Sequence, residues 1–298
     1  MEYHNPVLLK ESVDGLNIQP DGVYVDVTFG GGGHSREILS RLGEKGKLFA
    51  FDQDEDALAN KIDDSRFVLI NENFRFIKRF LRFHGIKEVD GILGDFGVSS
   101  HQFNVAERGF STRFDARLDM RMSKKGSLSA FEVINEYEEE QLKKLFYEYA
   151  DLRIAPKLAA EIVKARKEAP IESSERLKEV LNPFLFKEKE HKILAQIYQA
   201  IRIEVNQELE VLQEFLLQTE SLVKKGGRLS LISYHSLEDR LVKRYMRSGM
   251  FEGEPQKDFF GNISVPFKKV GGLVIPSAQE IAVNKRARSA RLRIAKKL

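Results

Sequence analysis

The densest group of residues that could do chemistry is a run of four glycines, Gly30–Gly33, followed directly by His34. The run comes after the apolar stretch Val23–Phe29 and opens the segment Ser35–Leu42, which has helical spacing. Glycines let the backbone approach a ligand closely and present N–H groups at a helix N-terminus, which suits an anion. An ordinary strand-to-helix turn would have the same composition, so a ligand site and a purely structural turn both remain open here.

The residues around the glycines narrow the kind of ligand. The dinucleotide fingerprint G-x-G-x-x-G would need a third glycine where Ser35 stands. The run from Asp26 instead resembles the Asp-x-Gly-x-Gly-x-Gly motif of S-adenosylmethionine-dependent methyltransferases, with Thr28 replacing the first glycine. Asp52 ends the next apolar run, where an acid accepts hydrogen bonds from both ribose hydroxyls and disfavours a 2′-phosphate. The alternative for Asp52 is an acidic cluster at a helix N-terminus, because Asp54–Asp56 follow it.

Asp95 comes directly after a further apolar run, Val89–Leu93, and Gly94. Ligands of parallel α/β sheets bind outside the carboxyl ends of the strands, so the glycine turn, Asp52 and Asp95 are expected to face one crevice. A carboxylate in that crevice could accept the N–H of an amine that is being methylated. Because the chain has no cysteine, methylation of pyrimidine C5 through a cysteine nucleophile is excluded, whereas amine, hydroxyl and ring-nitrogen acceptors remain.

Strands and helices alternate at both ends of the chain but not in its middle. Strands are predicted at Val23–Phe29, Lys47–Phe51, Phe67–Ile70 and Val89–Leu93, with helices at Ser35–Leu42, Glu55–Ile62 and Phe74–Phe83 between and after them. Residues 106–205 have almost no strand signal and predict helices, one of which has an apolar face of Ile193, Ile197 and Ile201. The alternation resumes with Gln207–Lys224, Arg228–Ser233 and Leu237–Met246, and with late strands at Val265–Val270 and Ala290–Ile294. We therefore expect an α/β fold with a mostly parallel sheet, in which 1–105 and 206–298 form one discontinuous domain and 106–205 an inserted all-α domain.

The basic side chains are concentrated near the C-terminus. Residues 284–298 hold seven basic and no acidic side chains, including Arg286, Arg288, Arg291 and Arg293, although the whole chain has a net charge of only +3. One interpretation is a phosphate-binding patch. The other is an edge strand, because charged residues that alternate with apolar ones protect a sheet edge from aggregation. The charge pattern favours neither.

A second basic segment, residues 108–125, has six basic and two acidic side chains, with Phe110 and Phe114 among them. Arginines next to aromatic rings, here beginning with Arg108 and including Arg121, can clamp and stack an unstacked nucleotide. The alternative is a solvated connector whose apolar residues pack on the helical domain.

The six histidines do not predict a metal site, because none has a second ligand at metal-binding spacing. His34 lies at the glycine turn, where a contact to a cofactor carboxylate or to the backbone is expected. His235 follows the strand Arg228–Ser233 and, with Ser236, could offer polar groups to a substrate. The alternative is a helix cap, since Ser236 and Asp239 have capping-box spacing.

The amino-acid composition limits the cellular compartments in which this protein is expected. With 42% hydrophobic and 31% charged residues the chain can bury a core. No apolar run approaches the roughly 18 residues that span a bilayer, and no signal-peptide pattern is read at the N-terminus. The lack of cysteine removes disulfides and iron–sulfur clusters and fits a reducing compartment. We expect a cytoplasmic protein with no membrane partner.

Seven segments that follow one another along nearly the whole chain resemble one family. They are Asn5–Leu9, Thr28–Ser35, Asp95–Ser100, Arg108–Ser111, Leu118–Met122, His235–Arg240 and Asn284–Ala290. Each is weak alone, but together and in this order they resemble the bacterial ribosomal RNA small-subunit methyltransferase H family (RsmH, also called MraW). Departures such as His101 and Ala116-Arg117 lie in or near the predicted helical domain.

The resemblance implies a class I (Rossmann-like) S-adenosylmethionine-dependent methyltransferase that modifies the exocyclic N4 of a cytidine in the decoding region of 16S ribosomal RNA. It implies a cofactor site at Gly32, Gly33, His34, Asp52, Phe74, Asp95 and Gln102, with Phe74 able to pack on adenine. Asp95 becomes the candidate for orienting the target amine. Candidate RNA contacts are Arg108, Arg121, Arg286, Arg288, Arg291 and Arg293. The expected partner is small-subunit ribosomal RNA or the assembling small subunit, and no metal is expected.

Two other functions compete with this one. An NAD-dependent dehydrogenase would share the acid that binds ribose, but none of the eight tyrosines is followed by lysine four residues later, so a Tyr-x-x-x-Lys pair is absent. A ribosome-assembly factor that retains a cofactor pocket without catalysis would share every feature above.

Overall fold

The structure, a computed structural model, describes residues 6–185, 189–253, 255, 259–260 and 263–298. Asn5, which begins the first family-like segment, lies outside them. The chain divides into two compact units, Met1–Gly97 with Leu209–Leu298 (here the sheet unit) and Val98–Glu208 (the helical unit). The helical unit begins earlier than the predicted 106–205 because it includes a short helix, Ser100–Asn104, that the sequence pattern did not indicate.

The described residues form these strands: β1 (Val23–Asp26), β2 (Lys47–Phe51), β3 (Phe67–Ile70), β4 (Val89–Asp95), β5 (Val223–Ser233), β6 (Phe267–Val274) and β7 (Arg291–Lys297). They form these α-helices: α1 (Leu9–Leu16), α2 (Gly33–Arg41), α3 (Ile77–Phe83), α4 (Ser100–Asn104), α5 (Ala130–Glu136), α6 (Glu139–Ala150), α7 (Ala155–Arg166), α8 (Ser174–Leu181), α9 (Glu190–Asn206), α10 (Glu208–Leu222), α11 (Ser236–Ser248) and α12 (Ala278–Val283). Short 3₁₀ turns cover Glu55–Asn60, Phe74–Phe76, Ala106–Arg108, Asn182–Phe184 and Lys285–Ser289.

The strands of the sheet unit pair in the order β3-β2-β1-β4-β5-β7-β6. Strands β1 to β5 run parallel, and β7 is antiparallel to both β5 and β6. The predicted α/β class with a mostly parallel sheet is confirmed. From β1 the chain adds β2 and β3 on one side of the sheet and then β4 and β5 on the other. The carboxyl ends of β1 and β4 are therefore the topological switch point, where such sheets bind ligands.

The position of β7 corrects one interpretation of the basic C-terminus. Strand β7 lies between β5 and β6, so its arginines do not protect an edge. Strand β6 forms the edge on this side of the sheet and carries the exposed lysines Lys268 and Lys269, which suit an edge strand.

Apolar residues that alternate along the strands bury both faces of the sheet. In β1 and β2, Val25, Phe49 and Phe51 belong to the core shared with α3, α10 and α11. Their neighbours Tyr24 and Leu48 belong to the opposite core, shared with α1 and α2. Helices on both faces hold the strand ends rigidly, and this is what allows polar side chains at those ends to form a site.

The helical unit has its own apolar core, to which α5 to α9 contribute. The predicted apolar face of α9 is confirmed, because Ile193, Ile197 and Ile201 are all buried. Among the described residues, no helix combines the length and the apolar character that crossing a membrane requires.

Candidate active site

Three aspartates mark the carboxyl ends of neighbouring strands in the sheet unit. Asp26 ends β1, Asp52 directly follows β2, and Asp95 ends β4. Burial raises the pKa of each carboxyl to about 6. The sequence singled out Asp52 and Asp95, and the structure adds Asp26 to the same edge of the sheet.

Asp26 is fully buried and forms hydrogen bonds to residues on both sides of the glycine turn. Its Oδ1 accepts a hydrogen bond from the Thr28 backbone N–H at 3.1 Å, and its Oδ2 accepts one from the Ser35 hydroxyl at 2.7 Å. These bonds join Thr28, two residues before the first glycine, to the first turn of the helix after the glycines. Sequence reasoning gave Asp26 no role, because the predicted strand Val23–Phe29 placed it inside the strand, whereas the observed strand ends at Asp26.

The glycine turn needs glycine for two different reasons. Gly32 has φ 76° and is the residue before α2, a left-handed conformation that side chains other than glycine rarely adopt. Gly33 begins α2, and a Cβ atom there would lie 2.1 Å from Cγ of Pro6. The first position needs glycine for its backbone conformation, and the second needs it because Pro6 packs directly against the start of α2.

Asp52 is tied to the same turn. Its Oδ2 accepts a hydrogen bond from the Gly30 backbone N–H at 2.7 Å, and its Oδ1 accepts one from Asp54 N–H at 2.9 Å. Asp54 is also the N-cap of the following 3₁₀ turn, since its side chain accepts from the Asp56 N–H. The capping alternative therefore applies to Asp54, while Asp52 shapes the turn and stays partly exposed.

Asp95 is held at both its backbone and its side chain. Its N–H donates to the Thr28 hydroxyl at 2.7 Å, so the threonine that replaces the first motif glycine links β4 to the turn after β1. Its Oδ1 accepts a hydrogen bond from the Tyr234 hydroxyl at 2.7 Å, and its Oδ2 lies 4.0 Å from His34 Nδ1. Tyr234, which follows β5, is a contributor that sequence reasoning missed, although the rule that ligands bind at strand ends applied to it.

The sequence allowed His34 to contact either a cofactor carboxylate or the protein backbone, and the structure shows the backbone contact. Its Nε2 lies 3.1 Å from the Val7 carbonyl oxygen, and a carbonyl can only accept, so Nε2 carries the proton. Burial lowers the pKa of His34, against the opposing effect of Asp95. In the neutral ring Nδ1 is then an acceptor, which does not suit it to donate to a cofactor carboxylate.

Phe74 follows β3 in a short 3₁₀ turn and belongs to an aromatic cluster. Its ring centroid lies 5.8 Å from that of Phe96 and 5.3 Å from that of Phe215. Part of the side chain stays exposed. The structure thus supports both a core role and an exposed aromatic surface.

Three other predicted site residues belong to the helical unit. Gln102 is buried and completes a capping box with Ser99 at the start of α4. Arg108 is also buried, and its Nη2 donates to the carbonyls of Arg121 and Met122 at 3.0 Å each. This corrects the expectation for Arg108, because its guanidinium holds backbone carbonyls rather than facing RNA.

Arg121, the third, is paired within its own segment. Its Nη2 lies 2.7 Å from Asp119 Oδ2, and its Nη1 donates to the Gly126 carbonyl at 2.9 Å. The side chain nevertheless stays partly exposed, so a contact to RNA remains a prediction.

The C-terminal arginines differ strongly in their surroundings. Arg293 forms a two-bond pair with Asp239 of α11, whereas Arg291 makes one longer bond of 3.2 Å to the same carboxylate and is half exposed. Arg288 is exposed and Arg286 is partly buried. Arg293 is only 15% exposed and its guanidinium is held by Asp239, so its surroundings favour a role in the fold over the predicted RNA contact.

The cap of α11 also differs from the predicted one. The N-cap is His235, whose ring accepts from the Glu238 backbone N–H at 3.4 Å, and Glu238 rather than Asp239 completes the capping box. Asp239 is buried and pairs with the arginines of β7. The helix therefore starts one residue earlier than predicted, at Ser236, and its first two acidic residues make different contacts.

Comparison with known proteins identifies the family of this chain. The sequence profile described as the MraW methylase family matches residues 1–298. Ribosomal RNA small subunit methyltransferase H of Christiangramia forsetii is 78% identical over 298 residues, which is 100% of this chain and 99% of that protein. The protein of the same name from Flavobacterium johnsoniae is 68% identical over 100% of this chain and 99% of its own. That from Bacteroides fragilis is 56% identical over 99% of this chain and 97% of its own. The predicted resemblance is confirmed, and the chain belongs to the MraW methylase family.

Proposed function

We propose that this protein transfers a methyl group from S-adenosylmethionine to the exocyclic N4 of a cytidine in the decoding region of small-subunit (16S) ribosomal RNA. The observation that carries the proposal is the convergence of the glycine turn, Asp52 and Asp95 at one edge of the sheet, in a chain of the MraW methylase family. The relatives named above are small-subunit ribosomal RNA methyltransferases, which supplies the substrate class.

The residues of the turn fit the cofactor. When bound, S-adenosylmethionine supplies an electrophilic methyl group on a positively charged sulfur. Gly32 and Gly33 would receive its methionine end, because they stand at the start of α2 and the first N–H groups of a helix suit an anion such as the cofactor carboxylate. Asp52 would accept from the ribose hydroxyls with the lone pairs that Gly30 and Asp54 leave unused. Phe74 would pack on the adenine with its exposed part.

Asp95 has the chemistry to prepare the target amine. The exocyclic amine of cytosine is a weak nucleophile because its lone pair is delocalised into the ring. A fixed carboxylate that accepts one N–H favours the pyramidal nitrogen that attacks and gives the proton a path out. Asp95 can do this through Oδ2, since its Oδ1 already accepts from Tyr234.

We assign methyl transfer to the sheet unit, and RNA binding to the helical unit and to exposed basic residues of the sheet unit such as Arg288 and Arg291. We assign the protein to the cytoplasm. The target cytidine must leave its stack, which costs a few kcal/mol that RNA contacts have to offset. The names of the relatives give small-subunit ribosomal RNA as their substrate class, and the partner proposed here is this RNA or the assembling small subunit.

The proposal is tested by transfer of labelled methyl groups to small subunits that lack this modification, followed by mapping of the labelled base. Incorporation at one cytidine N4, lost in Asp95→Asn and kept in Asp63→Asn, is expected. Asp63 is an exposed aspartate of the same unit and controls for loss of one charge. Label on another atom or another base would contradict the proposal.

The same experiment addresses the competing functions. A protein that binds S-adenosylmethionine and small subunits but transfers no methyl group would be an assembly factor. Calorimetry against S-adenosylmethionine and NAD separates the dehydrogenase, which would bind NAD alone.

A further inference from the structure

Tyr234 directly follows β5 and reaches the neighbouring strand end. Strand β5 pairs with β4 so that Ile232 lies opposite Asp95, which brings Tyr234 just beyond the acid at the same edge of the sheet. Its hydroxyl donates to Asp95 Oδ1 at 2.7 Å, the length of a strong bond to a carboxylate.

The tyrosine is fixed at both ends, so this hydrogen bond has a defined direction. Its backbone N–H donates to Glu238 Oε2 at 2.9 Å. Its ring lies against Gly97, where an added Cβ atom would come within 3.3 Å of Tyr234 Cδ2. Gly97 has φ 104°, a backbone conformation that favours glycine. The Tyr234 ring packs against this residue.

We propose that Tyr234 is a positioning residue for methyl transfer, whose hydroxyl fixes Asp95 Oδ1 and so directs Oδ2 to the target amine. The inference rests on the proposed function, because it assigns to Tyr234 the orientation of the group that accepts the N–H. Without this hydrogen bond the Asp95 carboxyl group could rotate about χ2, a torsion angle that has a broad distribution in aspartate. A general base must lie within hydrogen-bond reach of its proton, so rotation would reduce the fraction of productive encounters.

The hydroxyl also affects the charge of Asp95. Burial raises the pKa of Asp95 to about 6, while His34 of α2 and the hydrogen bond from Tyr234 oppose that rise. Asp26 of β1 and Glu238 of α11 also face it and raise its pKa. Burial, Asp95, Glu238 and Glu280 of α12 raise the pKa of Tyr234 itself well above 10, so this group stays a donor across the working range.

The test is the pH dependence of single-turnover methyl transfer to small subunits by Tyr234→Phe. Because the carboxylate loses a donor, the acidic limb of the rate should move about one unit to higher pH. The rate at neutral pH should fall about tenfold, with the dissociation constant for S-adenosylmethionine unchanged. Tyr245→Phe is the matched control, because Tyr245 is a buried tyrosine of α11 that stacks on Phe251 instead. It should keep the wild-type profile.

Two further measurements keep the inference open to refutation. The residual single-turnover rate of Asp95→Asn, measured at high enzyme concentration, should not fall further when Tyr234→Phe is added, because Tyr234 acts through Asp95. If Tyr234→Phe does not fold, 3-fluorotyrosine at position 234 keeps the hydroxyl but makes it a stronger donor, and should move the acidic limb to lower pH. A limb that moves in neither variant, in a wild type that does methylate small subunits, overturns the role of Tyr234. A wild type that does not methylate them overturns the proposed function instead.

Discussion

The guanidinium of Arg293 holds the carboxylate of Asp239 with two hydrogen bonds, Nε to Oδ1 at 2.7 Å and Nη2 to Oδ2 at 3.0 Å. The pair joins the middle of β7 to the first turn of α11. Burial alone would raise the pKa of Asp239, but Arg293 and Arg291 outweigh it and the pKa is lowered. A basic residue that a charge count assigns to nucleic acid is here part of the protein's own structure.

Removal of Arg293 should therefore cost stability. Arg293→Ala leaves the mostly buried Asp239 without its two-bond partner, and the free energy of unfolding should fall by about 2 kcal/mol. Arg291→Ala, which removes a half-exposed partner at 3.2 Å, should cost less than about 1 kcal/mol. Urea unfolding of the two variants measures both values. Equal losses would contradict the geometry of the pair.

Arg288 should show the opposite behaviour in RNA binding. Its side chain is exposed, so Arg288→Ala should lower the slope of log affinity against log salt by about 0.7 to 0.9, which is the value for one lost phosphate contact. Arg293→Ala should leave the slope unchanged. Titration of a small-subunit RNA fragment at several salt concentrations gives the slopes, and an altered slope for Arg293→Ala alone would reverse the two assignments.

Gly33→Ala adds only one methyl group, but it should disturb the glycine turn strongly. The new Cβ atom would lie 2.1 Å from Pro6, so the start of α2 or the segment before α1 must shift. We expect a loss of about 1 to 3 kcal/mol in the free energy of unfolding, as for overpacked sites, together with weaker binding of S-adenosylmethionine. Gly272→Ala is the control, since a Cβ atom there meets nothing within 4 Å. A variant at Gly33 that binds and unfolds like this control would show that the turn does not need glycine.

Asp26 should make the protein less stable as the pH rises from acid to neutral. Burial raises its pKa in the folded state to about 6, above the ordinary value, so its contribution is fully present below about pH 4 and is lost as the pH rises through about 6. Asp26→Asn keeps an oxygen for the Thr28 N–H but does not ionise. The difference in unfolding free energy between wild type and Asp26→Asn should change by up to about 2 kcal/mol across this window. A constant difference would mean that Asp26 does not titrate there.

The strand positions and the acids at their ends could be predicted from the sequence, because apolar runs followed by glycine or aspartate recur at regular distances. Strands Lys47–Phe51 and Phe67–Ile70 have the predicted bounds. The place of β7 could not be predicted, since the order of strands depends on long-range pairing rather than on local pattern. The partners of Arg293 and Asp95 come from elements distant in the chain, Asp239 and Tyr234. Local spacing holds no information on such pairs.

Asp52 offers a test of the cofactor site that does not depend on methyl transfer. Asp52→Asn replaces one acceptor with an NH₂ group, which cannot accept from a ribose hydroxyl. The dissociation constant for S-adenosylhomocysteine should rise about tenfold or more, which corresponds to one lost hydrogen bond to a charged group. The wild type should bind the 2′-deoxy analogue more weakly than it binds S-adenosylhomocysteine. Asp52→Asn should weaken binding of the analogue less than it weakens binding of S-adenosylhomocysteine, because the analogue already lacks one of the ribose hydroxyls. Calorimetry on the four combinations gives the coupling, with Asp63→Asn as the charge control. If the two losses simply add, Asp52 acts on the glycine turn through Gly30 and not on the ribose.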